Sequence, residues 1–181
     1  MAGPRAVPEP TVEVLLAGTE VATLATIAPP EQWGQWCGQW LQRLGEARSP
    51  IGAYEVGLQL VTDGEIQTLN RDYRDKDTAT DVLAFAALET DMVLPSALLH
   101  SDPLYLGDII ISLDTARRQS GDHHHTWQEE VLWLTAHGFL HLLGWDHPDE
   151  AALHRMWQQQ QQLLESLGIT LTASAYRQDA G

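Results

Sequence analysis

Cysteine and lysine are almost missing from this 181-residue chain, which has one of each, Cys37 and Lys76. A single thiol cannot close an internal disulfide or build a cysteine-ligated zinc or iron–sulfur site, so a disulfide-stapled secreted scaffold is excluded. No apolar run reaches membrane-spanning length, and the first ten residues carry three prolines where a signal peptide needs an apolar core. These absences favour a cytoplasmic location with no membrane partner. Positive charge is scarce as well: ten Lys+Arg against 25 Asp+Glu leave a formal net charge of −15. The field of such a chain repels polyanions, which excludes indiscriminate nucleic-acid binding and requires any phosphate contact to be local.

What is present suits one domain. A chain of this length with 44% hydrophobic residues buries roughly 70% of its unfolded surface and needs no staples. Residues 1–10 read as a mobile arm, 11–170 as the domain and 171–181 as a tail. Val12, Val14 and Leu16 alternate as a first strand, and Trp33, Trp36, Cys37, Trp40, Leu41 and Leu44 recur at helical spacing after two prolines. The tryptophan stripe reads as core and not as a cofactor stack. Val56, Leu58 and Leu60 form a second strand, after which Asp63 is placed to cap a short helix carrying Ile66 and Leu69. Residues 81–85 suit a third strand, 86–104 an irregular connection, and Leu106–Ser112, with three consecutive isoleucines, a strand buried on both faces. A helix over 113–119 follows. The next opens at Thr126 with Glu129 three positions on, a capping-box pattern, and Gly144 ends it. The last runs over about 148–167, with the five glutamines of 158–162 on its solvated side. That makes about four strands and about five helices.

The chemistry concentrates in His137-Gly-Phe-Leu-His141-Leu-Leu-Gly144-Trp-Asp-His147. Histidines four apart share one helical face about 6 Å apart along the axis. Gly144 lets the chain leave the helix through a left-handed residue and double back, which brings His147 toward the same point. Three neutral nitrogens with an open fourth position are the donor set of a catalytic zinc site, although nickel, copper and iron also accept imidazole. An ion so held lowers the pKa of water from about 16 toward about 7 or polarises a phosphoryl oxygen, and either use implies hydrolysis. The spacing also invites comparison with zinc proteases, but the position of their glutamate base is Gly138 here, which weighs against peptide hydrolysis. Glu130 returns to nearly the same helical face as His137. It reads first as a carboxylate stabilised by the helix N-terminus, and secondarily as a distant acid/base. Asp146 either orients an imidazole or caps the following helix. The triplet His123-His124-His125 reads as a polar loop, a second metal site being the alternative, because neighbouring side chains point apart.

A second unusual segment, Leu69 through Phe85, holds Arg71, Arg74 and Lys76 within six positions just before a buried strand. A guanidinium presented from so rigid a place can neutralise charge developing on a phosphate.

With those residues in view, the sequence resembles the YbeY family of metal-dependent endoribonucleases of ribosomal RNA maturation. The resemblance rests on Leu69-Asn70 through Thr80-Asp-Val-Leu-Ala-Phe85, on Leu106–Ser112 and on His137–His147, in the family's order. It implies an α+β fold, a small mixed sheet of about four strands covered by about five helices in a single domain. It also implies His137, His141 and His147 as ligands of zinc, one ion per chain, and Arg74 as the residue important for nuclease activity. The expected partners are a ribosomal RNA precursor and ribosomal or ribosome-assembly proteins, with no DNA and no membrane. The expected activity is that of a single-strand-directed endoribonuclease acting by metal-activated water in maturation of the 3′ end of small-subunit (16S) RNA and in ribosome quality control. The chain departs from the family pattern at Ala84 and Ala86, where serine and proline are common, and at Trp145, where tyrosine is. Two other readings stand beside this one: a ribosome-assembly factor with a structural metal, which the acidic body favours for docking on a basic ribosomal protein, and, more remotely, a metalloprotease-like hydrolase. The histidine triplet and the glutamine run are not explained by the family.

Overall fold

The computed structural model describes residues 3, 6–89, 97 and 100–171. Four strands and six α-helices occur among them: β1 Thr11–Ala17, α1 Val21–Ile27, α2 Pro30–Leu44, β2 Ala53–Val61, α3 Asp63–Arg74, β3 Val82–Ala86, β4 Leu104–Ser112, α4 Leu113–His123, α5 Trp127–Leu142 and α6 Glu150–Glu165. Of the irregular connection expected over 86–104, the described part holds a 3-10 turn, Ala87–Glu89; residues 90–96 and 98–99 lie outside the described residues, as does the expected tail beyond Leu171.

The strands form one mixed sheet in the order β1-β2-β4-β3. The pairs β1–β2 and β2–β4 are parallel, and β3 closes the far edge antiparallel to β4 with Leu83 opposite Ile110. The three isoleucines of β4 show why a continuous apolar run belongs in the middle of such a sheet. Ile109 and Ile111 enter the main core, while Ile110 turns to the other face and packs with Val61, Ile66 and Leu83. On the main face lie α2, α5 and α6. Trp33, Trp40 and Leu41 of α2 are fully buried there, and the Trp40 indole N–H donates to the Leu163 carbonyl at 3.0 Å, tying α2 to α6. The tryptophan stripe is core, each buried ring contributing about 2–3 kcal/mol. Cys37 lies within it, and burial pushes its thiol up to about 12, which leaves it unreactive.

Four features of the fold differ from the pattern expected along the chain. Thr62, not Asp63, caps α3: its hydroxyl accepts from the Glu65 N–H while Glu65 accepts from the Thr62 N–H at 2.9 Å, a complete capping box. Asp63 instead accepts from Ser112 Oγ at 2.5 Å and Thr115 Oγ1 at 2.6 Å and pairs with Arg118 at 2.9 Å, which joins the starts of α3 and α4. Helix α1 has no periodic signal in its seven residues, Val-Ala-Thr-Leu-Ala-Thr-Ile; it forms because Leu24 is buried and the Glu20 N–H bonds Leu60 across the sheet end. Helix α4 runs on to His123 through poor helix formers because the His123 side chain finds a buried partner on α5. Finally, the glutamine run is not all solvated: Gln160 has no exposed surface.

Candidate metal centre and its cleft

Helix α5 packs so closely on the sheet that a Cβ at Gly138 would sit 2.6 Å from Ile109 Cγ2. The neighbouring His137 is thereby turned away from the sheet, and His141 stands one turn on with its ring centroid 4.7 Å from that of His137. A glutamate base of the zinc-protease kind has no room at position 138, so the protease reading fails on sterics as well as on residue type.

Past Leu143 the chain reverses through Gly144 at φ 95°, with the Gly144 N–H on the His141 carbonyl and the Trp145 N–H on the Leu140 carbonyl, each at 3.0 Å. Asp146 then accepts from the His147 N–H at 2.8 Å, fixing the backbone that carries the third ring, while the cap of α6 is Asp149, bonded to the Ala152 N–H at 2.7 Å. Of the two roles open to Asp146, capping the next helix is therefore taken by another residue. The His147 centroid lies 5.5 Å from that of His137 and 5.2 Å from that of His141, and one nitrogen from each ring falls within 4.8 Å of the others. The expected convergence of the three rings is met.

The state of these rings follows from their surroundings. Burial, with His141 and His147 facing it, pushes His137 down to about 4 despite its hydrogen bond to Gln160; burial and His147 lower His141 as well. Both are neutral at pH 7. His137 Nδ1–H donates to Gln160 Oε1 at 2.9 Å, and the Gln160 amide N–H donates to the Trp133 carbonyl at 3.3 Å. Because a carbonyl only accepts, this chain orients the amide and leaves a lone pair on His137 Nε2. His141 also bonds the Trp145 backbone, and its Nε2 lies 3.1 Å from that of His137. Two neutral nitrogens aimed at each other at that distance suit a cation held with His147, so the residues present fit a metal. Gln160 was missed in the sequence because a homopolymeric run hides which member faces inward.

The triad opens on a cleft of about 1090 Å³ whose other wall is built by Asn70, Arg74, Lys76, Asp81 and Ala84. Arg74 ends α3, so its charge is presented from a helix end and not from the strand itself. It is nevertheless fastened to β3: its Nη2 donates to the Ala84 carbonyl at 2.8 Å and its guanidinium lies 5.3 Å from the Phe85 ring centroid. Asn70 holds the following turn by donating to the Thr78 carbonyl at 2.9 Å. The structure thus brings the three histidines to one cleft with Arg74 and Lys76, while Arg71 pairs with Asp72 outside it.

The family model described as Endoribonuclease YbeY matches residues 21–168. The endoribonuclease YbeY of a Nostoc species is 50% identical over 145 residues, 80% of this chain and 78% of that one. The corresponding protein of a Synechocystis species is 51% identical over 136 residues, 75% and 76% of the two chains, and that of Acaryochloris marina 41% over 170 residues, 94% and 93%. This chain belongs to the YbeY endoribonuclease family. A solved Thermotoga maritima structure aligns with a TM-score of 0.47 at 20% identity, over 86% of this chain and 91% of that one. Of the three departures from the YbeY pattern, Ala84 and Trp145 line the cleft and Ala86 is buried in the core. No described helix is long and apolar enough to cross a membrane.

One expectation outside the YbeY motifs is overturned, and another holds with more contacts than the sequence shows. The histidine triplet is not a polar loop: His123 is buried at the end of α4, His124 takes the left-handed cap at φ 60°, and His125 turns back beside His123. Glu130 stands in the first turn of α5, as expected of a carboxylate at a helix N-terminus, but it has no exposed surface and contacts both His123 and His125. It is absent from the cleft wall, which removes it as an acid or base for a substrate there.

Proposed function

We propose that this chain cleaves phosphodiester bonds in single-stranded regions of a small-subunit (16S) ribosomal RNA precursor, in maturation of its 3′ end and in ribosome quality control. One zinc ion per chain is held by His137, His141 and His147, and Arg74 is the catalytic residue that meets the phosphate. The observation that carries this reading is the convergence of three imidazoles on a cleft that Arg74 also lines. When bound, the ion supplies a Lewis acid and acidifies water. Arg74, anchored by the Ala84 carbonyl and the Phe85 ring, offers its remaining N–H groups to a phosphate, and Lys76 adds a second positive charge beside it. Hydrolysis by water breaks the P–O3′ or P–O5′ bond and leaves a monophosphate and a hydroxyl. Attack by the RNA 2′-hydroxyl instead leaves a 2′,3′-cyclic phosphate and a 5′-hydroxyl.

The charge of −15 favours a cytoplasmic partner with a basic surface, a ribosomal or assembly protein, that carries the cleft to RNA against the general repulsion. It equally suits an assembly factor whose metal is structural. Metal-analysed protein incubated with a precursor spanning the RNA 3′ end separates the two. Cleavage with 3′-hydroxyl ends, lost by at least about 100-fold in His141→Ala and Arg74→Glu, supports water attack aided by Arg74. Cyclic phosphate ends put the nucleophile on the sugar. Folded, metal-loaded protein that never cuts RNA yet corrects subunit assembly in extracts overturns the catalytic reading.

A further inference from the structure

The left-handed cap at His124 has a geometric effect that the spacing of the triplet conceals. By reversing the chain between them, it places the rings of His123 and His125 5.6 Å apart and aims His123 Nδ1 and His125 Nε2 at the same carboxylate oxygen of Glu130. His123 Nδ1 stands 3.2 Å from Glu130 Oε2, and the His125 nitrogen is closer still. One ligand atom from each of the three residues lies within 4.8 Å of the others, a limit the cleft triad also meets. Two helices and the turn between them meet here: His123 closes α4, His125 lies in the turn into α5, and Glu130 stands in the first turn of α5.

We propose that His123, His125 and Glu130 form a second divalent-cation site, separate from the cleft triad and built from two imidazole nitrogens and one carboxylate. This donor set suits zinc or cobalt and leaves at least one coordination position for a further group. Electrostatics support an ion at this place. Glu130 has no solvent exposure, and the Asp81 carboxyl, itself pushed up by burial, feels the negative charge of Glu130 as a further upward push. Two carboxyl groups drawn into one interior region are costly, and a divalent charge on Glu130 relieves both. The ion would also clasp α4 to α5, stabilising the helix that carries His137 and His141 without touching substrate.

The test uses the full chain, stripped with chelator and reloaded with cobalt or zinc. Metal analysis is expected to find about two ions in the wild type, about one in a His137→Ala, His141→Ala, His147→Ala triple variant and about one in a His123→Asn, His125→Asn double variant. Cobalt added to the triple variant should give the visible absorption of a low-coordinate ion and raise its Tm. Adding Glu130→Gln should weaken that ion by at least about 10-fold. A triple variant that is folded by circular dichroism and binds no cobalt overturns the proposal, and leaves the residues as a hydrogen-bonded knot. Binding that survives the added His123→Asn and His125→Asn changes overturns it also, as adventitious. Should the double variant fail to fold, the triple variant alone decides.

Discussion

Gln160 shows how much one side chain can set. Its amide holds the Nδ1–H of His137 and is held in turn by the Trp133 carbonyl, so it fixes both the tautomer and the orientation of a ring in the candidate metal centre. Gln160→Leu is expected to weaken zinc by about 10–100-fold in a competitive chelator titration while the chain stays folded. The depressed value of His137 also gives the metal-free protein a pH dependence. The unfolded ring takes up a proton near its ordinary value of 6.5 and the folded ring only near about 4. Protons therefore favour unfolding between those values: stability is whole above about 6.5 and declines, by at most about 3 kcal/mol, as pH falls toward 4. Denaturant titrations of wild type and His137→Ala across that window should show the decline in the first and a flatter curve in the second.

At the scale of elements, the site depends on how closely α5 approaches β4. Gly138 permits the contact, because any side chain there meets Ile109. Gly138→Ala is expected to cost about 1–3 kcal/mol in denaturant melts and to lower metal affinity by displacing His137. Helix α3 presents Arg74 at its end and is held at its start by the Thr62 capping box and by Asp63. Burial raises Asp63, but hydrogen bonds from Ser112, Thr115 and Arg118 outweigh it and leave the carboxyl below its ordinary value. Its stabilisation is present above the unfolded value and is lost as pH falls through the folded one. Asp63→Asn should therefore lower stability at neutral pH by about 1 kcal/mol and remove that part of the acid dependence.

For the whole molecule, the balance of charge decides how RNA is met. The net negative charge repels a polyanion, while the cleft itself presents the positive charges of Arg74 and Lys76. With about two phosphate contacts to single-stranded RNA, the slope of log affinity against log salt is expected to be about −1.4, far shallower than for a basic RNA-binding protein. Lys76→Gln should reduce the slope by about 0.7, measured by filter binding over a salt series.

Local periodicity made most of the fold legible, since strands β1 to β4 and five of the helices announce themselves by alternation, capping residues and apolar stripes. What escaped was short or held from afar: α1, with too few residues to show a period, and the last turn of α4, kept helical by a contact with α5. The metal triad was readable because its geometry is local, a four-residue spacing followed by a glycine that must turn.

Spacing along the chain was enough to bring His137, His141 and the returning His147 toward one point and to mark a local cluster of three of the ten basic residues, because a helical period, a turning glycine and a short charged segment are all written in consecutive residues. Folding was needed to bring Gln160 to His137, Arg74 to the cleft wall and Glu130 between His123 and His125. Those pairings join side chains from different elements, or across a chain reversal, and burial and packing select them where no periodic pattern along the chain records them.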